Sequence, residues 1–397
     1  MREVTYRLSQ RLSGLSKSSF DMLVKAKRLE DEGRRIIHFD VGEPDFDTPK
    51  NIKEAAKRAL DANFTHYLPP QGLKELREAI AEDEKKTKGL AVSPDEVIVT
   101  PGAKPMIFYA ILAFVDPDDE VIYPDPGYTS YRSMIRLAGG RPVPIELRED
   151  EDFALDIRRL ERLISAKTKA IIINTPHNPT GSILTIKDLE GLAAIADKYD
   201  LMVISDEVYS KLIYEGEHVS IATLPKMRER TIVVDGFSKT YAMTGWRLGY
   251  GIVPQQLVPK IVKIVTETVS CATAFVQKAG VEALKSAQND AENMRKRFKN
   301  RRDLAISILS ESKYIKVKKP KGAFYIFPNI KALKVSSYEF TDYLLENFGV
   351  SVVPGPAFGI YGEGYFRISY ATSEDLIEEG VRKIVQAAEE IASKGGI

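Results

Sequence analysis

The chain has 397 residues, two to three times the common domain length, with 44% hydrophobic and 28% charged residues; this excludes one small domain and a largely disordered chain. Its 57 Lys+Arg against 56 Asp+Glu leave a net charge of +1, too balanced for a general attraction to nucleic acid or anionic lipid. The single cysteine, Cys271, excludes an intrachain disulfide framework, and His38, His66, His177 and His218 show no metal-ligand spacing.

In chain order, residues 1–10 are polar and do not read as a signal peptide, and no apolar run reaches the roughly 18 residues of a membrane span. A cytoplasmic protein without metal, membrane or nucleic-acid partners is therefore expected. From residue 97 short β-branched runs alternate with helical stretches. The runs 97–100, 120–123, 170–173, 201–205 and 231–235 are continuously apolar, as in strands covered on both faces. Helical segments such as 187–199 lie between them, which points to an α/β architecture with a mostly parallel sheet. A further run, 249–253, follows after only about a dozen residues, too few for a full crossover, which favours an antiparallel strand.

After about residue 280 the texture changes. Charged helices at 290–310 and 374–393 flank strand-like pieces at 322–327 and 365–370, the pattern of a smaller α+β domain. The expected division is an N-terminal segment 1–41 joining the small domain, a large domain 42–280 and a small domain 281–397. No disordered linker separates them, so a cleft between them is the expected ligand site.

Chemistry in an α/β protein gathers where strands end at their carboxyl side. Four runs end in polar, turn-forming residues: Pro101-Gly102-Ala103-Lys104, the stretch 174–181, Asp206-Glu207-Val208-Tyr209, and Asp235-Gly236-Phe237-Ser238-Lys239. A flexible ammonium such as Lys239, desolvated or set beside another cation, loses its proton and can attack a carbonyl to form a Schiff base. Arg247 lies close enough in sequence to return to that site as an anion clamp, or to sit in a surface ion pair. Asp206 reads as a helix N-cap, or as a carboxylate held for a cationic ring nitrogen with the phenol of Tyr209 nearby. Beside Lys239 the second reading gains, because the pair meets the demand of pyridoxal phosphate.

The loop 101–104 offers free backbone N–H groups at a helix N-terminus, suited to a phosphate. It matches neither a Walker loop nor a dinucleotide fingerprint. His177-Asn178-Pro179-Thr180-Gly181 reads as a turn whose pinned Asn178 can orient a ligand oxygen. Tyr128 reads as core packing or as a platform for a ring. Arg367 is a charge in an apolar strand and needs a partner if buried; a substrate carboxylate is one candidate.

This combination resembles the fold-type I, pyridoxal-phosphate-dependent class I/II aminotransferases, in the branch that includes prokaryotic aspartate aminotransferases. The resemblance runs from about residue 8 to the C-terminus. It rests on Gly42-Glu43-Pro44-Asp45-Phe46, Tyr67-Leu68-Pro69, Asn178-Pro179-Thr180-Gly181, Asp206-Glu207-Val208-Tyr209, and Ser238-Lys239 with Arg247 at the family's spacing. It implies an aspartate aminotransferase-like fold, a large coenzyme-binding domain plus a smaller α+β domain. Lys239 would carry the coenzyme and shuttle the substrate's proton. Asp206 would keep the pyridine nitrogen protonated, Tyr209 and Asn178 would hold the ring oxygen, and Tyr128 would stack on the ring. Gly102, Ala103, Lys104, Ser238 and Arg247 would hold the phosphate. Arg367 would grip the substrate α-carboxylate, supported by Gly42 and Asn178. Tyr67 would reach the phosphate of a partner subunit, which implies a homodimer with shared active sites.

Four departures bear on this expectation. Gly236 stands where relatives often carry serine, and Tyr131 where some carry histidine behind the ring-nitrogen Asp. The helix at 105–112 has no lysine for a second substrate carboxylate, and Phe20 is a candidate to line the same pocket. The resemblance implies ping-pong transamination from an L-amino acid to 2-oxoglutarate, with aspartate as the family default donor. Aromatic, alanine or other apolar donors, or a β-lyase reaction, are the alternatives. A regulator built on this fold lacks room for a DNA-binding domain before Gly42, and a nicotinamide dehydrogenase lacks its glycine fingerprint. Abundant charge, one cysteine and sparse Gln point to heat tolerance.

Overall fold

The apolar runs become strands, and their order in the sheet decides what their ends can reach. The structure, a computed structural model, describes residues 9–12 and 20–396; the side chain of Phe20 lies outside the described residues, so its expected place in the pocket is not addressed. In chain order the strands among the described residues are β1 (Ile37–His38), β2 (Val97–Thr100), β3 (Glu120–Asp125), β4 (Arg141–Glu146), β5 (Thr168–Asn174) and β6 (Met202–Asp206). They continue as β7 (Thr231–Gly236), β8 (Gly249–Ile252), β9 (Tyr325–Ile326), β10 (Val350–Ser351), β11 (Val353–Pro354) and β12 (Phe366–Ser369).

The central seven-stranded sheet has the order β2-β8-β7-β6-β5-β3-β4. Strands β4, β3, β5, β6 and β7 run parallel. β8 is antiparallel to both neighbours, as the short connection after β7 required. Successive side chains face opposite sides: Ile98 packs with Ile204 and Ile232, while Val97 and Val99 pack with Val233 on the other face. Helices cover both faces, which is why these strands read as unbroken apolar runs.

Strand β4 escapes that reading. Pro142 and Pro144 interrupt it, and prolines are tolerated only where a missing N–H meets no neighbour; β4 is the sheet edge. In the C-terminal part, β11, β12 and β9 form an antiparallel sheet, and β1 pairs in parallel with β10. Phe298, Phe324, Phe340, Phe366 and Tyr370 build the core there, joined by Ile37 and Phe39 from the N-terminal side.

One ion cluster ties the middle of the large sheet together. Lys88, whose side chain is 2% exposed, lies 3.0 Å from Glu84, 3.0 Å from Glu207 and 2.7 Å from Asp235. His218 adds a 2.9 Å contact to Glu207, and Tyr250 donates to Glu84 at 2.7 Å. Burial alone would raise the Glu207 carboxyl, but Lys88 and His218 outweigh it and hold that group well below the usual carboxylate range. Glu207 follows Asp206 at the end of β6, and Asp235 lies in β7, so the lysine cross-links two adjacent strand ends. Lys88→Met leaves these carboxylates buried without their cation, and a broken buried pair costs about 3–5 kcal/mol. Urea unfolding of the variant is expected to show a loss of that size; a loss under about 1 kcal/mol would mean that the cluster is solvated.

Candidate active site

The parallel strands aim their carboxyl ends at one edge, where the following residues surround a cavity of about 360 Å³. Ala103 and Lys104 enter after β2, Tyr128 after β3, and Asn174 and Asn178 at and after the end of β5. Asp206 and Tyr209 come from the end of β6, and Gly236, Ser238 and Lys239 from the end of β7. Arg247 returns from the loop before β8, Gly42 from the N-terminal side and Arg367 from β12.

Gly102 caps the helix Ala103–Phe114 with φ +89°, a conformation open to glycine, and a Cβ there would run into the Arg247 guanidinium. The helix thus opens toward Arg247 with its first N–H groups unmasked, the usual geometry for an anion. Gly236 has a steric reason as well. A Cβ on it would sit 3.1 Å from the Gly249 Cα and 3.2 Å from the Leu248 carbonyl oxygen.

Lys239 Nζ donates to the Gly42 carbonyl at 2.6 Å and lies 5.7 Å from the Phe324 ring centre. Burial, assisted by the charges of Arg367, Arg247 and Lys104 and opposed by Glu43, lowers its pKa to about 8. Asp206 is buried on the adjacent strand, and that burial raises its pKa to about 6, with Asp235 and Glu207 adding to the rise. Tyr131 donates to its Oδ2 at 2.5 Å, which favours the carboxylate form.

Arg367, 4% exposed, donates to the Asn178 Oδ1 at 3.3 Å and to the Asp40 carbonyl at 2.7 Å. Its Nε is buried and finds no protein partner among the described residues. The Tyr209 hydroxyl meets that of Tyr325 at 2.8 Å, and Lys104 Nζ lies 5.4 Å from the Tyr128 ring centre. Asn178 is placed through its backbone N–H, which donates to the Asn174 Oδ1 at 2.8 Å. His177, beside it, faces Thr180 at 2.8 Å, and burial lowers its pKa to about 3, so it holds the turn as a neutral ring.

Two expected site residues do not line this cavity: Gly102, which caps the helix beside Arg247, and Tyr67. Tyr67 is 87% exposed and lines a separate surface pocket with His66 and Cys271. Conversely, sequence reasoning did not single out Asn174, Tyr325, Leu23 or Ile107, all of which line the cavity. Asn174 carried a usable signal, as a polar residue closing an apolar strand; Leu23 carried none. Among the described residues no group of three or more His, Cys, Asp or Glu is arranged for a metal ion, and no helix is long and apolar enough to cross a membrane.

The family model for aminotransferase class I and II matches residues 34–384. The chain is 45% identical to aromatic-amino-acid aminotransferase 2 of Thermococcus litoralis over 359 residues, which cover 89% of this chain and 92% of that one. It is 42% identical to an aspartate aminotransferase of Pyrococcus horikoshii over 388 residues, covering 97% and 98% of the two chains. The solved aspartate aminotransferase from Thermus thermophilus with maleate superposes with a TM-score of 0.92 at 37% identity, covering 96% of this chain and all of that one. With the strand-end cavity, these likenesses place the chain in the class I and II aminotransferase family, and the protein is an aminotransferase.

Proposed function

We propose that this aminotransferase uses pyridoxal phosphate, held in the strand-end cavity, to move the amino group of an L-amino acid to 2-oxoglutarate. The observation that carries the reading is a part-buried lysine, Lys239, set among three other cations and one strand away from a buried acid. The donor set fits an anionic coenzyme: Lys104, Lys239, Arg247 and Arg367 line the cavity, while the Asp40 carboxylate is already engaged by His38 and Ser351. Gly102, Ala103, Lys104, Ser238 and Arg247 would hold the phosphate. Asp206 would face the ring nitrogen, Tyr128 the ring, and Tyr209 and Asn178 the ring oxygen. When bound, the coenzyme supplies an aldehyde for the amine and a ring that draws electrons from the substrate α-carbon.

The protein's own groups divide the remaining work. With a pKa near 8, Lys239 Nζ is unprotonated in a useful fraction of molecules at neutral pH and is able to take and return a proton. Asp206 is mostly ionised at that pH and offers its charge to a cationic ring nitrogen. Arg367 presents a fork to a carboxylate, with Asn178 and the Asp40 carbonyl fixing its plane.

Aspartate remains the primary donor in this reading. The aromatic alternative has one observation on its side: apolar Leu23 and Ile107 line the cavity with Tyr128 and Tyr325. A homodimer belongs to the same proposal, because Tyr67 exposes a large ring beside a surface pocket that a second copy would cover. We assign the protein to the cytoplasm on its single free cysteine.

Glutamate formation from 2-oxoglutarate with aspartate, phenylalanine, tyrosine or alanine is the direct assay, and products released without 2-oxoglutarate would favour a β-lyase. Lys239→Ala is expected to lose at least about 10²-fold in turnover, the scale of acid–base catalysis. Borohydride treatment of the holoprotein, followed by peptide mapping, is expected to find the pyridoxyl group on Lys239; finding it on another lysine would overturn the assignment.

Coenzyme capture by the apoprotein is expected to speed up as pH rises through about 6, where Asp206 ionises, and again through about 8, where Lys239 loses its proton. Absorbance kinetics across that range would show both steps, and a rate independent of pH would refute them. Arg367→Lys replaces a fork by a point charge. Since a hydrogen bond to a charged group is worth about 1.5–3 kcal/mol, kcat/KM is expected to fall roughly tenfold or more. Unchanged kinetics would remove Arg367 from the carboxylate role.

A further inference from the structure

We infer that Arg301 is a positioning residue that seats the segment 40–48 across the cavity, holding the Gly42 and Asp40 carbonyl groups against Lys239 and Arg367. The inference rests on the roles given above to those two residues and concerns a pair, Arg301 and Asp45, that does not line the cavity.

Residues 40–48 belong to no helix or strand. Among the described residues their backbone makes no hydrogen bond to other backbone outside regular elements, whereas Phe39 still pairs with Ser351. A segment without a ladder takes its position from side-chain anchors. On the large-sheet side these are Thr244, donating to the Glu43 carboxylate at 2.6 Å, and Thr48, donating to the Ala242 carbonyl at 2.5 Å. On the opposite side Asp40 is held at the segment's start by His38 at 3.0 Å and Ser351 at 2.9 Å, and the anchor beyond Gly42 is Arg301.

Arg301 lies within the helix Gln288–Leu309 and is 1% exposed. Its two terminal nitrogens donate to the two Asp45 oxygens at 2.6 and 2.9 Å, and its Nε donates to Glu374 at 3.2 Å. The guanidinium lies 4.8 Å from the Phe46 ring centre, and Phe46 meets Phe298 edge-on at 5.3 Å. Such a buried cation is poor value as stability, since apolar residues of similar volume often pack as well. What an apolar residue cannot do is fix orientation: a planar fork accepts a carboxylate in one register. That register is passed along three residues to Gly42, which has no slack, because a Cβ there would run into the Tyr325 hydroxyl.

The test compares wild type with Arg301→Lys, Asp45→Asn, Asp45→Ala and the double variant Arg301→Lys/Asp45→Ala. Asp45 is on a loop and part-exposed, so its variants keep the comparison open if a change at Arg301 prevents folding. Each single variant is expected to raise KM for the amino donor more than it lowers kcat, with kcat/KM down about fivefold or more, the usual scale of coupling between touching groups. The double variant is expected to be no worse than the poorer single. The second readout is the upper pH midpoint of coenzyme capture. It is expected to move down in the variants, because a displaced segment takes both the Gly42 carbonyl and the Glu43 charge away from the ammonium, while Arg367, Arg247 and Lys104 still face it.

Variants that unfold more readily but keep the wild-type KM and midpoint would overturn the inference. A wild type that transaminates normally, with variants equal to it, would sink the positioning role alone. A wild type that binds no pyridoxal phosphate would sink the proposed function, and the inference with it.

Discussion

A primary amine held away from water beside three other cations is unfavourable until an anion arrives, and that unmet demand organises this molecule. Lys239 sits at the end of β7 with the Gly42 carbonyl as its hydrogen-bond acceptor. Arg367, Arg247 and Lys104 all oppose its charge. The parallel sheet makes the arrangement feasible, because it delivers the ends of β5, β6 and β7 side by side without exposing their backbone. The reversed strand β8 then brings Arg247 back to the same edge, which a further parallel crossover would have carried away.

Beneath this edge the charges are sorted. Asp206 closes β6 and takes a hydrogen bond from Tyr131, while the next residue, Glu207, points into the separate cluster around Lys88. Two neighbouring acids therefore have opposite fates. One is raised by burial and kept available to the cavity, the other is lowered by a lysine and a histidine and locked into the scaffold. Proximity in sequence says nothing of this division; the alternation of faces along the strand decides it.

Much of the architecture could be read from the chain because burial on both faces leaves an unambiguous record. The runs that became β2, β3, β5, β6 and β7 are unbroken apolar stretches, and the turn-forming residues after them marked the edge where Lys239, Asp206, Tyr209 and Asn178 gather. The antiparallel β8 followed from chain length alone. Strand β4 was missed because an edge strand tolerates the prolines that elsewhere argue against a strand. Arg367 was legible as a charge in an apolar strand and Gly42 through the family motif 42–46, but nothing local says that a segment before the large sheet and a strand after it will fold back to meet. Tyr325 and Leu23 had no such motif. Tyr67 lies outside this chain's own cavity, at the surface beside His66 and Cys271.

The meeting of Gly102, Gly236 and Gly249 has a consequence for how such an enzyme changes over generations. Gly236 and Gly249 pair across β7 and β8, and a side chain on Gly249 would collide with the backbone of Ala103. Where β7 and β8 meet the start of the helix Ala103–Phe114, the backbone is therefore packed against backbone, which substitution cannot reshape without dislodging the sheet edge itself. Variation is left to the walls, where Leu23 and Ile107 arrive from helices. A helix opening fixed by close-packed main chain and walls made of side chains thus answer to separate sets of positions, so the walls can be recut without moving the sheet edge.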